Sequence, residues 1–122
     1  MKNIKSLFTI VVTFIFILVV FVDTNAAMPK PKAIDMALAT NSLREIKNGD
    51  KYISQIDKII EKYEKNKSVL QKLALRIERA KSRIVSYKKL STTKKQKLLI
   101  VVNYLDLKTK EALYNLYIEE LE

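Results

Sequence analysis

The 122-residue chain has no cysteine, no histidine and no tryptophan, a single glycine (Gly49) and two prolines (Pro29 and Pro31). Without cysteine there can be no disulfide, thiolate metal site, nucleophilic thiol or thioether-linked lipid, and without histidine the commonest general base and metal ligand is missing. The chain also lacks a glycine-rich phosphate loop and a His-Glu metal pair. Adjacent acids such as Glu119 and Glu120 project about 100° apart on a helix, so they cannot share a substrate as a carboxylate pair does. The sequence therefore predicts a non-enzymatic protein without cofactor or metal, stabilised by packing alone. The scarcity of glycine and proline also excludes a turn-rich sheet protein; abundant Lys, Leu, Ile and Glu is the balance of a chain that is helical nearly throughout.

What is present in excess is positive charge. Lys and Arg number 23 against 13 Asp and Glu, a formal net charge of +10. Such a balance favours anionic partners and also keeps a small protein soluble. The length allows one domain with a core of modest size.

Lys2 and Lys5 precede an apolar run from Leu7 to Val22, relieved only by Thr9 and Thr13, and small residues follow at Thr24, Ala26 and Ala27. This is the three-part pattern of a secretory leader: positive charge holds the start in the cytoplasm, the apolar stretch enters the membrane, and small residues fit the peptidase. Cleavage after Ala26 or Ala27 is expected. That makes residues 1–26 a signal peptide and 27–122 a single helical domain with an extracytoplasmic (periplasmic or secreted) location. The alternative is an uncut anchor, for which the run is somewhat short.

An all-α fold is predicted for the remainder, in three helices. Pro29 and Pro31 form an extended lead-in, and a first helix runs from about 32 to 47, its apolar residues Met36, Ala39, Leu43 and Ile46 forming one narrow stripe. Asn48-Gly49-Asp50 is the best internal break, with Gly49 suited to a left-handed C-terminal cap and Asp50 to the next N-cap. A kinked continuous helix remains open, because Ala39, Ile46, Ile53 and Ile60 keep a seven-residue spacing through it. From 50 to about 89 a heptad register places Ile56, Tyr63, Leu70, Ile77 and Ile84 at one seam position and Ile59, Asn66, Leu73, Ala80 and Tyr87 at the other. One coiled-coil-like helix of about 40 residues is preferred over a loop at Asn66-Lys67-Ser68, and Asn66 reads as a polar interruption near solvent rather than a buried register-setting amide. Leu90-Ser91-Thr92-Thr93 supplies caps for a last helix, about 93–121, which must pack as an antiparallel hairpin on the preceding one. With the turn at Ser91, Leu98 faces Ile84, Leu105 faces Ile77 and Ala112 faces Leu70, while Glu119, Glu120 and Glu122 fall near Lys58, Lys62 and Lys65.

Two features point to function. The last helix carries apolar residues on two faces: Leu98, Val101, Val102, Leu105, Ala112, Leu113 and Leu116 on one, and Ile100, Tyr104, Leu107, Tyr114, Ile118 and Leu121 on roughly the opposite one. Either the first helix folds back over the second face, closing a three-helix bundle, or that face meets a partner, with self-association as a homodimer the favoured form. The second feature is a basic ridge. Lys72, Arg76, Arg79 and Arg83 recur at helical spacing within a stretch, 72–97, that holds ten basic residues and one acid, Glu78. Arginine forks suit phosphate and carboxylate, so binding of an anionic polymer, an envelope surface or an acidic partner is the alternative function; specific nucleic-acid recognition lacks an aromatic stacking platform.

The Leu90-Ser91-Thr92-Thr93-Lys94-Lys95-Gln96 segment, with the leader and the basic helical body, resembles the small periplasmic helical chaperones of the Spy type, whose motif is Leu-Thr followed two residues later by Gln. Ser91 stands where that motif has Thr, and Gln96 lies too far along. The resemblance implies a further alternative, a chaperone whose exposed apolar and basic surfaces hold unfolded clients.

Overall fold

A computed structural model describes residues 30–122. The leader predicted over 1–26 and its cleavage site lie outside the described residues. The fold is all-α, with four helices in order: α1 (Ala33–Glu45), α2 (Gly49–Tyr63), α3 (Lys67–Ser86) and α4 (Thr92–Leu121). None of the described helices is long and apolar enough to cross a membrane.

The break between α1 and α2 is real, and its chemistry differs from the expectation. Asn48, not Gly49, occupies the left-handed region, at φ 64°. Asparagine tolerates that conformation better than most side chains do. Gly49 is instead the first residue of α2, where its value is the missing Cβ: one built there would overlap the Leu43 carbonyl oxygen and lie 2.7 Å from its carbonyl carbon. The bend is closed by backbone hydrogen bonds from Ile46 N–H to the Leu43 carbonyl and from Gly49 N–H to the Ile46 carbonyl. The predicted stripe of α1 points inward, with Ala39 and Leu43 buried and Ile46 packed against the core.

The long helix expected from 50 to 89 is two helices. α2 ends at Tyr63, and the chain turns back through Glu64, Lys65 and Asn66 before α3 begins. Asn66 is exposed and serves as the N-cap of α3, its side-chain oxygen accepting from Val69 N–H at 3.2 Å. The directions of the helices follow from the cross-contacts. Asp57 meets Tyr104 and Lys65 meets Glu119, so α2 runs with α4; Lys67 meets Glu120 and Lys81 meets Asp106, so α3 runs against it. α1, joined to α2 by the tight bend and preceded by Lys30 over the Tyr114 ring, also runs against α4.

The heptad pattern persists through the turn because burial is demanded on both sides of it. Ile56, Leu70, Ile77 and Ile84 are buried at one seam position and Leu73 and Ala80 at the other, but each half of the seam lies against α4 rather than continuing one line. Burying the second face of α4 outweighs the few helical hydrogen bonds a straight chain would add, since each fully buried Ile or Leu contributes about 1.5–3 kcal/mol and a hydrogen bond about 1.

α3 also stops at Ser86, three residues earlier than expected. Tyr87 is extended (φ −76°, ψ 109°), and a turn bond links Leu90 N–H to its carbonyl. Lys95 reaches from α4 to donate to the Val85 carbonyl at 3.0 Å, satisfying one of the orphan acceptors at the helix end. The cap of α4 comes from the expected hydroxyl segment, but from Ser91, which accepts from Lys94 N–H, so that the helix starts at Thr92 rather than about 93. The predicted hairpin pairs, Leu98 with Ile84, Leu105 with Ile77 and Ala112 with Leu70, are all buried in one core. Of the predicted end contacts, Lys65 does meet Glu119, while Glu120 takes Lys67.

Candidate functional site

α4 is the axis of the molecule: it is the longest of the described helices and packs against all three others, most extensively against α3. α3 covers one face, with Leu98, Val101, Val102, Leu105, Ala112, Leu113 and Leu116 buried. α1 and α2 lie side by side over the other. Of the residues predicted as a partner face, Tyr104 is buried, and Ile100 and Leu107 are half-buried against the core. Tyr114 and Ile118 are half-buried, and Leu121 is 67% exposed. Helices of the same chain thus occupy the middle of that face, leaving a strip open at the C-terminal end.

Polar groups tie this packing together. The Tyr104 hydroxyl donates to Asp57 Oδ1 at 2.8 Å, and Lys108 approaches the same carboxylate at 3.9 Å. Burial, with the Asp57 carboxylate beside it, raises the Tyr104 pKa well above the ordinary tyrosine value. Burial also pushes the Tyr52 hydroxyl upward, partly opposed by the Asn48 side chain. On the α3 side Asp106 is buried, and its Oδ2 accepts from Lys81 at 2.6 Å and from Lys110 at 3.1 Å. Neither acid is singled out by sequence pattern. Asp106 is flanked by Leu105 and Leu107 on an otherwise apolar stretch, which is the only signal that its carboxylate would need internal cations.

Among the described residues, clefts open along both sides of α4. One, about 740 Å³, lies against α2 and is lined by Asp57, Glu61, Glu64, Lys65, Lys108 and Glu111 over Ile60 and Leu116. Its carboxylates are largely engaged, Asp57 and Glu111 with Lys108 and Glu119 with Lys65. The other, about 550 Å³, lies between α1 and α4 beside Asp106 and Lys110. Neither places an activated nucleophile beside a base, and among the described residues no three acids converge as a metal site.

The four residues of the basic ridge lie on α3. Lys72, Arg79 and Arg83 are exposed and Arg76 is half-buried. Lys81, on the same helix, is turned inward to Asp106 and lies 3.9 Å from Glu78. The ridge continues into the α3–α4 turn, where Lys88, Lys89 and Lys94 are exposed. Sequence reasoning misplaced the aromatic there. Tyr87, assigned to the seam, is 52% exposed beyond the end of α3, next to Val85 at 61%. The signal was available in the three successive hydroxyl residues at 91–93 and the paired lysines at 88 and 89, which mark a turn that starts before Leu90.

Comparison with protein-family models, with curated proteins and with solved structures gives no match for this chain.

Proposed function

We propose that this is an exported, non-enzymatic helical protein that binds anionic surfaces or polymers through the basic end of its α3–α4 hairpin. One observation carries the reading: setting aside Lys81, which Asp106 and Glu78 engage, residues 72–97 hold nine cationic side chains, and Lys88, Lys89 and Lys94 among them stand exposed at the turn. The formal charge of that end is therefore strongly positive. Exposed lysines at a turn can each replace a counterion on a polyanion, which makes binding strong at low salt and steeply salt-dependent.

Retention on long-chain polyphosphate tests this. The logarithm of affinity should fall linearly with the logarithm of salt, and the Lys88→Gln/Lys89→Gln/Lys94→Gln variant should lower that slope by about 2–3. Binding that ignores salt, or a triple variant that binds like the parent, defeats the proposal. A second reading, protein partnership through Tyr114, Ile118 and Leu121, is supported by the exposure of Leu121. It is distinguished by persistence at high salt.

A further inference from the structure

The turn that carries the lysines also carries two apolar side chains with nothing over them. Val85 is 61% exposed on the last turn of α3, and Tyr87 is 52% exposed two residues on, where the backbone has become extended. Both sit among Arg83, Lys88, Lys89 and Lys94, and all of these are exposed. Lys95 fixes the place of this pair by donating to the Val85 carbonyl from α4. The tip is thus held by the hairpin rather than hanging from it.

From this juxtaposition we infer that the partner of the basic end is an anionic phospholipid bilayer, with Tyr87 and Val85 inserted at headgroup depth and the surrounding lysines on lipid phosphates. The inference rests on the anionic-surface reading and gives it a partner. A polyanion in water offers charge alone, and an aliphatic side chain such as Val85 gains nothing by approaching it. A bilayer interface offers both parts: negative headgroups for lysine and an apolar boundary just beneath them. Tyrosine is the side chain whose ring and hydroxyl fit that boundary, and lysine stems lie along it while their ammonium groups stay with the phosphates. Each lysine near an anionic leaflet strengthens binding about fivefold, so three or four of them with a shallow apolar anchor make a reversible peripheral contact.

The absence of tryptophan permits a local test. A single Tyr87→Trp substitution places the only indole at the tip, and a separate Tyr117→Trp protein carries it on α4 near the opposite end as a control. Each purified protein is titrated with vesicles of phosphatidylglycerol and phosphatidylcholine, with vesicles of phosphatidylcholine alone, and with long-chain polyphosphate. Emission from the Tyr87→Trp protein should shift to the blue on the anionic vesicles only, and that from the Tyr117→Trp protein should not move. A leader retained on the chain inserts into both kinds of vesicle and so does not produce this lipid-charge dependence at the tip. The Val85→Ser/Tyr87→Ser variant should need about tenfold more phosphatidylglycerol for half-maximal binding, with polyphosphate retention unchanged. Lys88→Gln/Lys89→Gln/Lys94→Gln should lose both.

Three results overturn the inference: emission from the tip indole that stays solvent-like while the protein is vesicle-bound, a serine variant that binds anionic vesicles like the parent, or a serine variant that loses polyphosphate and vesicles equally. If polyphosphate retention fails while the tip indole still shifts on anionic vesicles, the broader polymer reading fails and the bilayer inference stands.

Discussion

The contact between Tyr104 and Asp57 shows how a single side chain can decide which helix covers a face. Counted by periodicity, Tyr104 belongs to an outward apolar stripe with Ile100 and Leu107; in the structure it is buried, with its hydroxyl on an α2 carboxylate. The stripe was legible in the sequence, but the acid that would accept from it lies 47 residues away and no spacing rule connects them. The energetic consequence is a pH dependence. The folded-state pKa of Tyr104 is raised by burial and by Asp57, above that of an unfolded tyrosine. Its stabilising contribution is thus complete below the unfolded value near 10 and is lost as pH rises from there through the folded value, because the unfolded chain releases a proton that the folded one retains. Tyr104→Phe should cost about 1 kcal/mol at neutral pH through the lost hydrogen bond. Between about pH 10 and 11 its stability should fall less steeply than the parent's, by up to roughly 1.4 kcal/mol per pH unit, the limit for one group. Urea midpoints followed by circular dichroism across that interval check this. Parallel decline of the two proteins would mean that Tyr104 is not held neutral by the fold.

For the elements, the informative failure is the turn at Glu64–Asn66. The heptad register marked six buried residues, Ile56, Leu70, Leu73, Ile77, Ala80 and Ile84, but it also held the exposed Asn66 and Tyr87, missed the buried Tyr52, and gave one helix where there are two. A register records that a face is apolar at each level; it does not record whether the partner lies beside one straight rod or beside a rod folded back, since both bury the same positions. What decided the matter was the second apolar face of α4, which the 13-residue α1 cannot cover alone and α2 helps to cover. The sequence did carry the local device, an asparagine with no glycine or proline nearby, and its role fixes the sign of a substitution. Were Asn66 in mid-helix, Asn66→Ala would stabilise the protein, because alanine is the better helix former. As the N-cap of α3, accepting from Val69 N–H, its replacement by alanine should instead destabilise by about 1 kcal/mol, with Asn66→Ser close to neutral. Thermal unfolding of the three proteins separates the two cases by sign alone.

The whole molecule is organised around α4 and is polarised along it. At the α3–α4 turn the exposed charge is almost wholly positive, whereas the opposite end gathers Glu111, Glu119, Glu120 and Glu122 with Glu61 and Glu64, several of them paired to lysine. The excess of base was plain from composition, but its concentration at one end, with Val85 and Tyr87 among it, depends on where α3 stops, and that is a three-residue question at a helix terminus. The same architecture bears on self-association. A helix that is apolar all round needs partners on all sides, and here α1, α2 and α3 supply them from within one chain. The apolar surface left over is a strip of Tyr114, Ile118 and Leu121 on α4 with the exposed Ile34 and Leu38 on α1, still below the roughly 800 Å² per partner of a stable interface, since five partly covered side chains of this size bury a few hundred at most. Residues 28–122 should therefore scatter light as a single chain from low to high salt, with the second virial coefficient reflecting charge repulsion that fades as salt is added. A dimer that appears only at high salt would show the strip to be an adhesive surface masked by net charge. One that persists at every salt concentration and dissociates in an Ile118→Glu/Leu121→Glu variant would place a second copy of the chain, rather than an anionic surface, as the principal partner of this fold.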